Sequence, residues 1–418
     1  MKKFRKNRPA ILSRIKRHIL PAAFLLGAAG LVTSAISGCS SSPEHPSYSS
    51  APSLPPYNQA TFNEYVDETR QWLEQHRFFI SDDHAREIAL NLPHEYRPDT
   101  PNGEAVLLVH GLGDSPYSFD DIARHLATKG YLVRTILLPG HGSKVGDLML
   151  PSEQDWQGVV HHHTQLLKQE FDKVWLGGYS TGANLVTTEA LQDASIQGLL
   201  LFSPAFKPGN DIVSWAEIAS WFMTWADQDP EDNYLRYNSL PMNGAVVYYQ
   251  TSETVRNQLA QTRFERPVFM IMSESDSVIS TDYAMNTFTN KMPNPGNVLV
   301  WQGETPLADQ RAVRFSMRIP HLRISNGSHM GLLFSPENPE YGMNGHKMIC
   351  SNGQDEELQR LCAQDKEVWY SAWGYREPGK IHARLTYNPY FEQSMTLLDK
   401  VMSTPTPARY VGRSLNVQ

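Results

Sequence analysis

The stretch that most constrains the fold of this chain is Gly178 to Gly182, with the sequence Gly-Tyr-Ser-Thr-Gly. The run Lys173 to Gly177 before it has the apolar composition of a strand, and Ala183 to Leu191 after it has that of a helix. A glycine at each end suits a turn that leaves no room for neighbouring side chains. Such a turn lifts the Ser180 hydroxyl above a sheet and places the Thr181 amide at a helix N-terminus, where N–H groups bind anions. We therefore predict a nucleophile elbow, with Ser180 as nucleophile and Thr181 as one oxyanion donor.

Strands and helices alternate on both sides of this turn. Ala105 to Val109 is a continuous apolar run, as expected of a strand that is buried on both faces. Further strands are predicted at 131–137, 198–202 and 267–272, and helices at 118–129 and 153–170. This alternation implies right-handed crossovers and an α/β fold with a mostly parallel central sheet and helices on both faces.

Three motifs occur in order, one after each of the strands predicted at 105–109, 131–137 and 173–177. They are His-Gly-Leu-Gly-Asp, Leu-Pro-Gly-His-Gly and Gly-Tyr-Ser-Thr-Gly. Together they resemble the α/β-hydrolase fold, and within it the monoacylglycerol lipase and carboxylesterase group, which shares this layout with proline-iminopeptidase-like serine peptidases. The resemblance is close from Glu104 to Ser203 and looser beyond. It implies a serine hydrolase whose catalytic residues follow the chain order serine, acid, histidine.

The acid and the base are expected downstream of the elbow. The resemblance places the acid at Asp276, in an Asp-x-Val turn after the strand predicted at 267–272, with Glu274 and Asp282 as alternatives. The base is expected at His329, in a loop of small residues that follows a short strand predicted at 322–325. A base held by a third group activates a serine hydroxyl that is otherwise a poor nucleophile.

The second oxyanion donor is expected from the loop after the first strand. The resemblance places it at the amide of Leu112. His110 and His141, in the first two motifs, are expected to order their loops rather than to transfer protons. Three further histidines rank below His329 as the base: His321, His346 and His382.

Neither a metal nor a cofactor is expected. His161 to His163 are consecutive, whereas metal ligands on a helix are usually three or four residues apart. The sequence has no phosphate-binding glycine loop and no nucleotide-binding fingerprint. After residue 38 the chain holds 29 basic residues (37 minus 8) against 44 acidic ones, which argues against nucleic acid as a partner.

The N-terminus predicts an export signal. Residues 1–38 carry eight Lys and Arg residues and no acid, followed by an apolar region. The end of this stretch, Ile36 to Cys39, resembles the lipobox of bacterial lipoproteins, in which the cysteine is lipidated. We expect a signal peptide at 1–38, a lipid anchor on Cys39 and a Ser- and Pro-rich tether at 39–58, with an uncleaved signal anchor as the alternative. The expected location is the bacterial cell envelope. The resemblance to lipoproteins implies the outer membrane if the host is Gram-negative, because Ser40 and not Asp follows the cysteine.

Residues 59–418 are predicted to form one hydrolase domain with two insertions. At 206–266 the strand–helix alternation stops and apolar residues recur at helical spacing, as in the caps of this fold. A polar insertion at 335–383 holds Cys350 and Cys362, for which we expect a disulfide in an oxidising compartment. Three aromatic residues of the cap suit contact with an acyl chain, the alternative being that they pack on the body: Trp215, Phe222 and Trp225.

These features predict a serine hydrolase that cleaves carboxylic esters of small or lipid-like molecules through an acyl-Ser180 intermediate. A serine peptidase or amidase on the same fold is one alternative, because triad and elbow would be shared. A surface-binding lipoprotein without catalysis is another, because a fold does not determine a function.

Overall fold

The structure, a computed structural model, describes residues 45–364 and 367–403. The predicted signal peptide and Cys39 lie outside these residues. The strands in the described ranges are β1 (Glu95–Tyr96), β2 (Glu104–Val109), β3 (Leu132–Ile136), β4 (Lys173–Tyr179), β5 (Leu199–Phe202), β6 (Trp225–Asp227), β7 (Leu240–Pro241), β8 (Val268–Ser273), β9 (Val298–Gln302), β10 (Ala312–Phe315), β11 (Val368–Ser371) and β12 (Ile381–Arg384). The α-helices are α1 (Phe62–His76), α2 (His84–Asn91), α3 (Asp120–Thr128), α4 (Glu153–Glu170), α5 (Thr181–Gln192), α6 (Ala216–Ser220), α7 (Met242–Gln261), α8 (Thr281–Lys291), α9 (Glu356–Ala363) and α10 (Phe391–Met402).

Eight strands form one sheet in the order β1-β3-β2-β4-β5-β8-β9-β10. Neighbouring strands run parallel, except that β1 is antiparallel to β3. The carboxyl ends of β2, β4 and β8 therefore point to the same edge of the sheet, where the loops that follow them can meet. This architecture is the α/β-hydrolase fold, and the predicted fold class is confirmed.

Side chains of the central strands fill two cores, one on each face of the sheet. Along β2, Ala105, Leu107 and Val109 point into one core, whereas Val106 and Leu108 point into the other. All five are fully buried. Because successive side chains of a strand point to opposite faces, a run without polar residues requires cover on both sides. The helices supply that cover on both faces of the sheet.

The cap insertion lies between β5 and β8. It consists of a 3-10 turn at Asp211–Trp215, followed by α6, β6, β7 and α7. Three apolar residues of α7 are buried in the core that also contains Leu107 of β2: Val247, Val255 and Leu259. Helix α7 is therefore an integral part of the hydrolase body, and only the segment before it projects from the fold.

The prediction of a strand at 322–325 is wrong. Pro320–Leu322 form a 3-10 turn, and Arg323 has the left-handed backbone angle φ 54°. Pro320 has no N–H to give to a strand ladder, which favours a turn here. The last strand of the sheet is instead β10, which pairs with β9, and β9 pairs with β8.

The predicted tether differs from the structure over its described part, residues 45–58. Tyr48 and Ala51 lie against the domain, and Ala51 is buried. The Ala51 amide donates to Asp147 Oδ1 at 2.6 Å. Gly146 permits this approach, because a Cβ there would lie 2.5 Å from the carbonyl oxygen of Ser49. The Ser- and Pro-rich composition predicts no packing, but Tyr48 packs its ring against the core of the domain. These residues therefore bind to the domain.

The insertion at 335–383 contains α9 and the strand β11, which pairs in parallel with β12. Cys350 and Cys362 are joined by a disulfide with an S–S distance of 2.04 Å, as expected from the sequence. Cys362 is fully buried against Val368 and Ala383. None of the helices in residues 45–364 and 367–403 is long and apolar enough to span a membrane.

Candidate active site

Ser180 occupies the turn between β4 and α5, with φ 54° and ψ −116°. Non-glycine residues rarely adopt such angles, and they do so where the surroundings enforce them. The flanking glycines are required: a Cβ on Gly178 would lie 2.4 Å from the carbonyl oxygen of Gly182, and a Cβ on Gly182 only 2.1 Å from that of Val109. The Ser180 amide donates to Phe202 O at 3.0 Å and fixes the turn to β5. This strained turn between a strand and a helix has the geometry predicted for a nucleophile elbow.

A continuous chain of hydrogen bonds joins the three residues expected from the sequence. The Ser180 hydroxyl lies 2.9 Å from His329 Nε2 and can donate to it. His329 Nδ1 lies 2.6 Å from Asp276 Oδ2, so its N–H can donate to the carboxylate. The Asp276 side chain is fully buried, and that of His329 is 12% exposed. The geometry gives each group the partner that it needs in serine activation.

Backbone amides hold the acid in place. Asp276 lies in the turn after β8, where its Oδ1 accepts from Val278 N at 2.8 Å and Ile279 N at 3.2 Å. Its Oδ2 is thereby directed at the histidine. The rival acids point elsewhere: Glu274 accepts from Thr305 N at 3.0 Å, and Asp282 is exposed in the first turn of α8.

Contacts distant in sequence orient the base. The Ser203 hydroxyl donates to the carbonyl oxygen of His329 at 3.1 Å, and the Tyr179 ring lies 5.1 Å from the imidazole. The Ser328 hydroxyl donates to Leu385 O and accepts from Gly331 N at 3.0 Å, which anchors the base loop to the chain after β12. Sequence reasoning missed Ser203 and Tyr179, although both lie at strand ends next to the elbow.

The other histidines considered as the base lie away from the nucleophile. His321 belongs to the 3-10 turn at 320–322 and is exposed, as is His346. His382 is buried in β12, with Nε2 3.3 Å from Ser325 Oγ. Their positions leave His329 as the histidine in contact with Ser180.

The expected oxyanion donors are the amides of Thr181 and Leu112. Thr181 begins α5, where the helix offers its amide no acceptor. Leu112 follows β2 and packs beside Tyr248 and Ile279 of the cap side. Within the described residues, neither amide has a hydrogen-bond partner in the protein. Two amides without acceptors beside a nucleophile suit a developing oxyanion.

Two buried histidines hold the loop that carries Leu112. His110 Nε2 accepts from Leu138 N, and His141 Nε2 accepts from Gly113 N, both at 3.0 Å. An accepting ring nitrogen requires the neutral imidazole. Burial accordingly lowers the pKa of His141 to about 4, and burial followed by the proximity of His141 lowers the pKa of His110. Both order the loop, as expected from the sequence.

A charged pair beside the triad was not anticipated. Asp114 follows the oxyanion loop, and Arg236 reaches it from the cap, with Nε 3.8 Å from Asp114 Oδ1. Burial raises the pKa of Asp114, while the charges of Arg236 and His329 act in the opposite direction. No motif indicates this pair, because the partners lie more than a hundred residues apart.

The three aromatic cap residues are not brought to the nucleophile. Trp215 is 62% exposed and Phe222 is 82% exposed. The ring of Trp225 lies 5.0 Å from that of Tyr48. Helical spacing predicts an apolar side but not what covers it. The apolar wall that does lie near the elbow groups Ala205, Tyr248 and Ile279 with Leu112 and Val213.

Three or more potential metal ligands cluster nowhere in the described ranges. His161 Nδ1 pairs with Glu189 at 3.0 Å, and His162 Nε2 lies 2.8 Å from the carbonyl oxygen of Gln59. His163 is buried, and burial lowers its pKa to about 3. The three rings diverge as expected for consecutive helical residues.

Comparison with known proteins agrees with this geometry. Residues 100–229 match the Hydrolase_4 family, described as serine aminopeptidase S33, over about a third of the chain. A thermostable monoacylglycerol lipase of Bacillus sp. (strain H-257) is 23% identical over 236 residues, which are 53% of this chain and 92% of the relative. A carboxylesterase of Bacillus subtilis (strain 168) is 22% identical over 209 residues, 48% of this chain and 83% of the relative.

A solved structure of the monoacylglycerol lipase of Paleococcus ferrophilus is also similar, with a TM-score of 0.42 and 17% identity over 65% of this chain and 96% of the other. The family match and the two Bacillus relatives agree with the sheet order and the elbow. The chain is a hydrolase with the α/β-hydrolase fold.

Proposed function

We propose that this protein is a serine esterase that cleaves carboxylic esters of small or lipid-like molecules, held at the bacterial cell envelope by a lipid on Cys39. The observation that carries the catalytic part is the hydrogen-bonded sequence Ser180–His329–Asp276 beside two amides without acceptors. The names of the two Bacillus relatives support ester substrates.

The reaction begins with the transfer of the Ser180 proton to His329 Nε2 as the Oγ attacks the ester carbonyl. The carbonyl π electrons move to the oxygen, and the amides of Thr181 and Leu112 stabilise this oxyanion. Asp276 stabilises the imidazolium that has formed. The oxyanion collapses, the C–O bond to the alcohol breaks, and the imidazolium gives its proton to the departing alcohol. The product of this half-reaction is acyl-Ser180.

Water completes the cycle by the same route. His329 Nε2 accepts a proton from the water as the water oxygen attacks the acyl carbonyl. The second oxyanion collapses with release of the acid, and the proton returns to Ser180 Oγ. The apolar wall of Tyr248 and Ile279 beside Leu112 suits the acyl or alcohol part of an uncharged ester.

Peptidase activity is the second candidate, because the matching family is described as serine aminopeptidase. An aminopeptidase must bind the ammonium group of its substrate, for which a carboxylate is the natural partner. The acid beside the triad, Asp114, is already paired with Arg236. This pairing favours the ester over the aminoacyl amide.

The test compares p-nitrophenyl esters of increasing acyl length with aminoacyl p-nitroanilides. We expect ester hydrolysis by the wild type and a loss of at least about 10⁴-fold in Ser180→Ala, since the remaining groups supply no nucleophile. Hydrolysis of the anilides without hydrolysis of the esters would contradict the proposed esterase activity and support the peptidase activity. Failure of the folded wild type to react with a fluorophosphonate would favour the non-catalytic lipoprotein.

The lipid anchor has its own test. Cys350 and Cys362 form a disulfide, which leaves Cys39 as the remaining cysteine of the sequence. Cells fed an alkyne analogue of palmitate should label the wild-type protein but not Cys39→Ala. Equal labelling of both proteins would contradict the anchor.

A further inference from the structure

A group of large apolar side chains is exposed at the tip of the cap. We call it the cap apolar face, and its members, each between 47 and 82% exposed, are Ile212, Trp215, Ile218, Trp221, Phe222 and Met223. The opposite side of this segment is covered: Ala216 of α6 is buried against Met242 and Ala245 of α7. The segment is thus attached to the body by its small residues and presents its large ones to solvent. Contiguous exposed apolar side chains mark an interaction surface.

The chain that leads to the predicted lipid anchor runs directly to this part of the cap. Tyr48 stacks edge-on against Trp225 and its hydroxyl donates to Asp229 O at 3.1 Å. From His45, the first described residue, six residues lead back to Cys39. Six extended residues span at most about 20 Å. An acyl chain on Cys39 would therefore hold the cap within a short distance of the bilayer.

The charge of the cap indicates which kind of lipid surface it fits. Residues 206–235 contain six acidic residues and one basic residue, Lys207, whose Nζ lies 3.5 Å from Asp211 Oδ1. Asp211 and Glu217, which lie among the apolar side chains, are both exposed. A surface with this charge is repelled by anionic lipid, and the repulsion is screened by salt. Two tryptophans among aliphatic side chains are typical of a segment at the interface of a bilayer.

We infer that the cap apolar face inserts into the surface of a zwitterionic bilayer, the same bilayer in which the lipid on Cys39 is embedded. The anchor and the face then act as two attachments of one molecule, and the second fixes the orientation of the cap towards the lipid. The inference goes beyond the proposed hydrolysis and rests on the proposed anchor only for proximity. The insertion itself requires no catalysis.

The test uses the full lipidated chain, purified from membranes and reconstituted into phosphatidylcholine vesicles with or without brominated acyl chains. Bromine quenches the emission of tryptophans that reach the acyl region. We expect brominated lipid to quench the wild type and the double variant Trp215→Ser/Trp221→Ser to lose most of this quenching. The matched control is Trp373→Ser, which removes a tryptophan that is 46% exposed in the other insertion. This control should be quenched like the wild type.

Two further arms separate the alternatives. Ser180→Ala should be quenched like the wild type, so a protein without esterase activity can still pass the test. Replacing a third of the phosphatidylcholine by phosphatidylglycerol should reduce the quenching at low salt, and added salt should restore it. Equal quenching of the wild type and the double variant would overturn the inference, as would absence of quenching in the wild type. The latter result would point to a protein as the partner of this face.

Discussion

Replacing Asp276 by Asn tests how the acid directs the base. Asp276 Oδ1 accepts from the amides of Val278 and Ile279, and Oδ2 accepts from His329 Nδ1 at 2.6 Å. In the variant, the two amides favour the orientation that presents the side-chain oxygen to them, so the NH₂ group points at the imidazole. Nδ1 must then accept a hydrogen bond from this NH₂ group, so the single ring proton of the neutral imidazole lies on Nε2. The imidazole can no longer take the proton of Ser180.

The magnitude follows from the alternative orientation. Turning the Asn oxygen towards the histidine removes the acceptor from both amides, at about 1 kcal/mol each. This cost of roughly 2 kcal/mol leaves about one molecule in thirty in the orientation whose side-chain oxygen accepts from Nδ1. That orientation also lacks the negative charge that stabilises the imidazolium. We therefore expect kcat to fall by about 10⁴-fold, as for the same substitution in a serine protease triad, which corresponds to about 5.5 kcal/mol.

The assay is steady-state hydrolysis of a p-nitrophenyl ester, with kcat and KM determined separately. KM should change little, because Asp276 makes no direct contact with an ester in the proposed mechanism. Asp282→Asn is the matched control: it removes the same charge from an exposed site on α8 and should stay within about twofold of wild type. More than about 3% residual kcat in a folded Asp276→Asn protein would refute the reasoning from orientation.

Three further predictions concern stability. In Gly182→Ala the new Cβ would lie 2.1 Å from the carbonyl oxygen of Val109. We therefore expect the free energy of unfolding in urea titrations to drop by about 3 kcal/mol. An unchanged urea midpoint would contradict the close packing of the elbow. Cys350→Ser/Cys362→Ser opens a loop with a sequence separation of 12, and calorimetry should show a loss of about 3 kcal/mol that reductant reproduces in the wild type. Burial lowers the pKa of His163 to about 3 from an ordinary 6.5, so the unfolded chain binds more protons between these values and stability falls as pH decreases from 6.5 towards 3. His163→Leu should flatten this fall in thermal unfolding scans, and an identical pH profile in both proteins would exclude His163 as a source of the acid sensitivity.

The elbow was predictable because its determinants are local. Gly178, Ser180 and Gly182 lie within five residues, and the strand and the helix beside them are continuous in sequence. The base was predictable from its loop although the strand assigned before it was wrong. His329 is placed by Ser203 and by the chain after β12, contacts that cross more than fifty residues and leave no local pattern.

The cap and the tether show what composition does not determine. The spacing of the aromatic residues in the cap predicts a helical face, but the same spacing results whether the face covers a substrate, a core or a lipid surface. Trp215 and Phe222 lie on the exposed side, since Ala216 occupies the side towards α7. Residues 45–58 look like a free tether by composition, yet the Tyr48 hydroxyl and the buried Ala51 amide donate hydrogen bonds to the body.

The most direct test of the proposed mechanism is to identify the nucleophilic residue that a fluorophosphonate modifies, with loss of fluoride. The folded wild-type protein is treated with a fluorophosphonate, digested and analysed by peptide mass spectrometry. We predict one adduct, on Ser180, and a labelling rate that is strongly reduced in His329→Ala, because the base that takes the hydroxyl proton is absent. An adduct on another residue, or equal labelling rates in the two proteins, would contradict the roles proposed for Ser180 and His329.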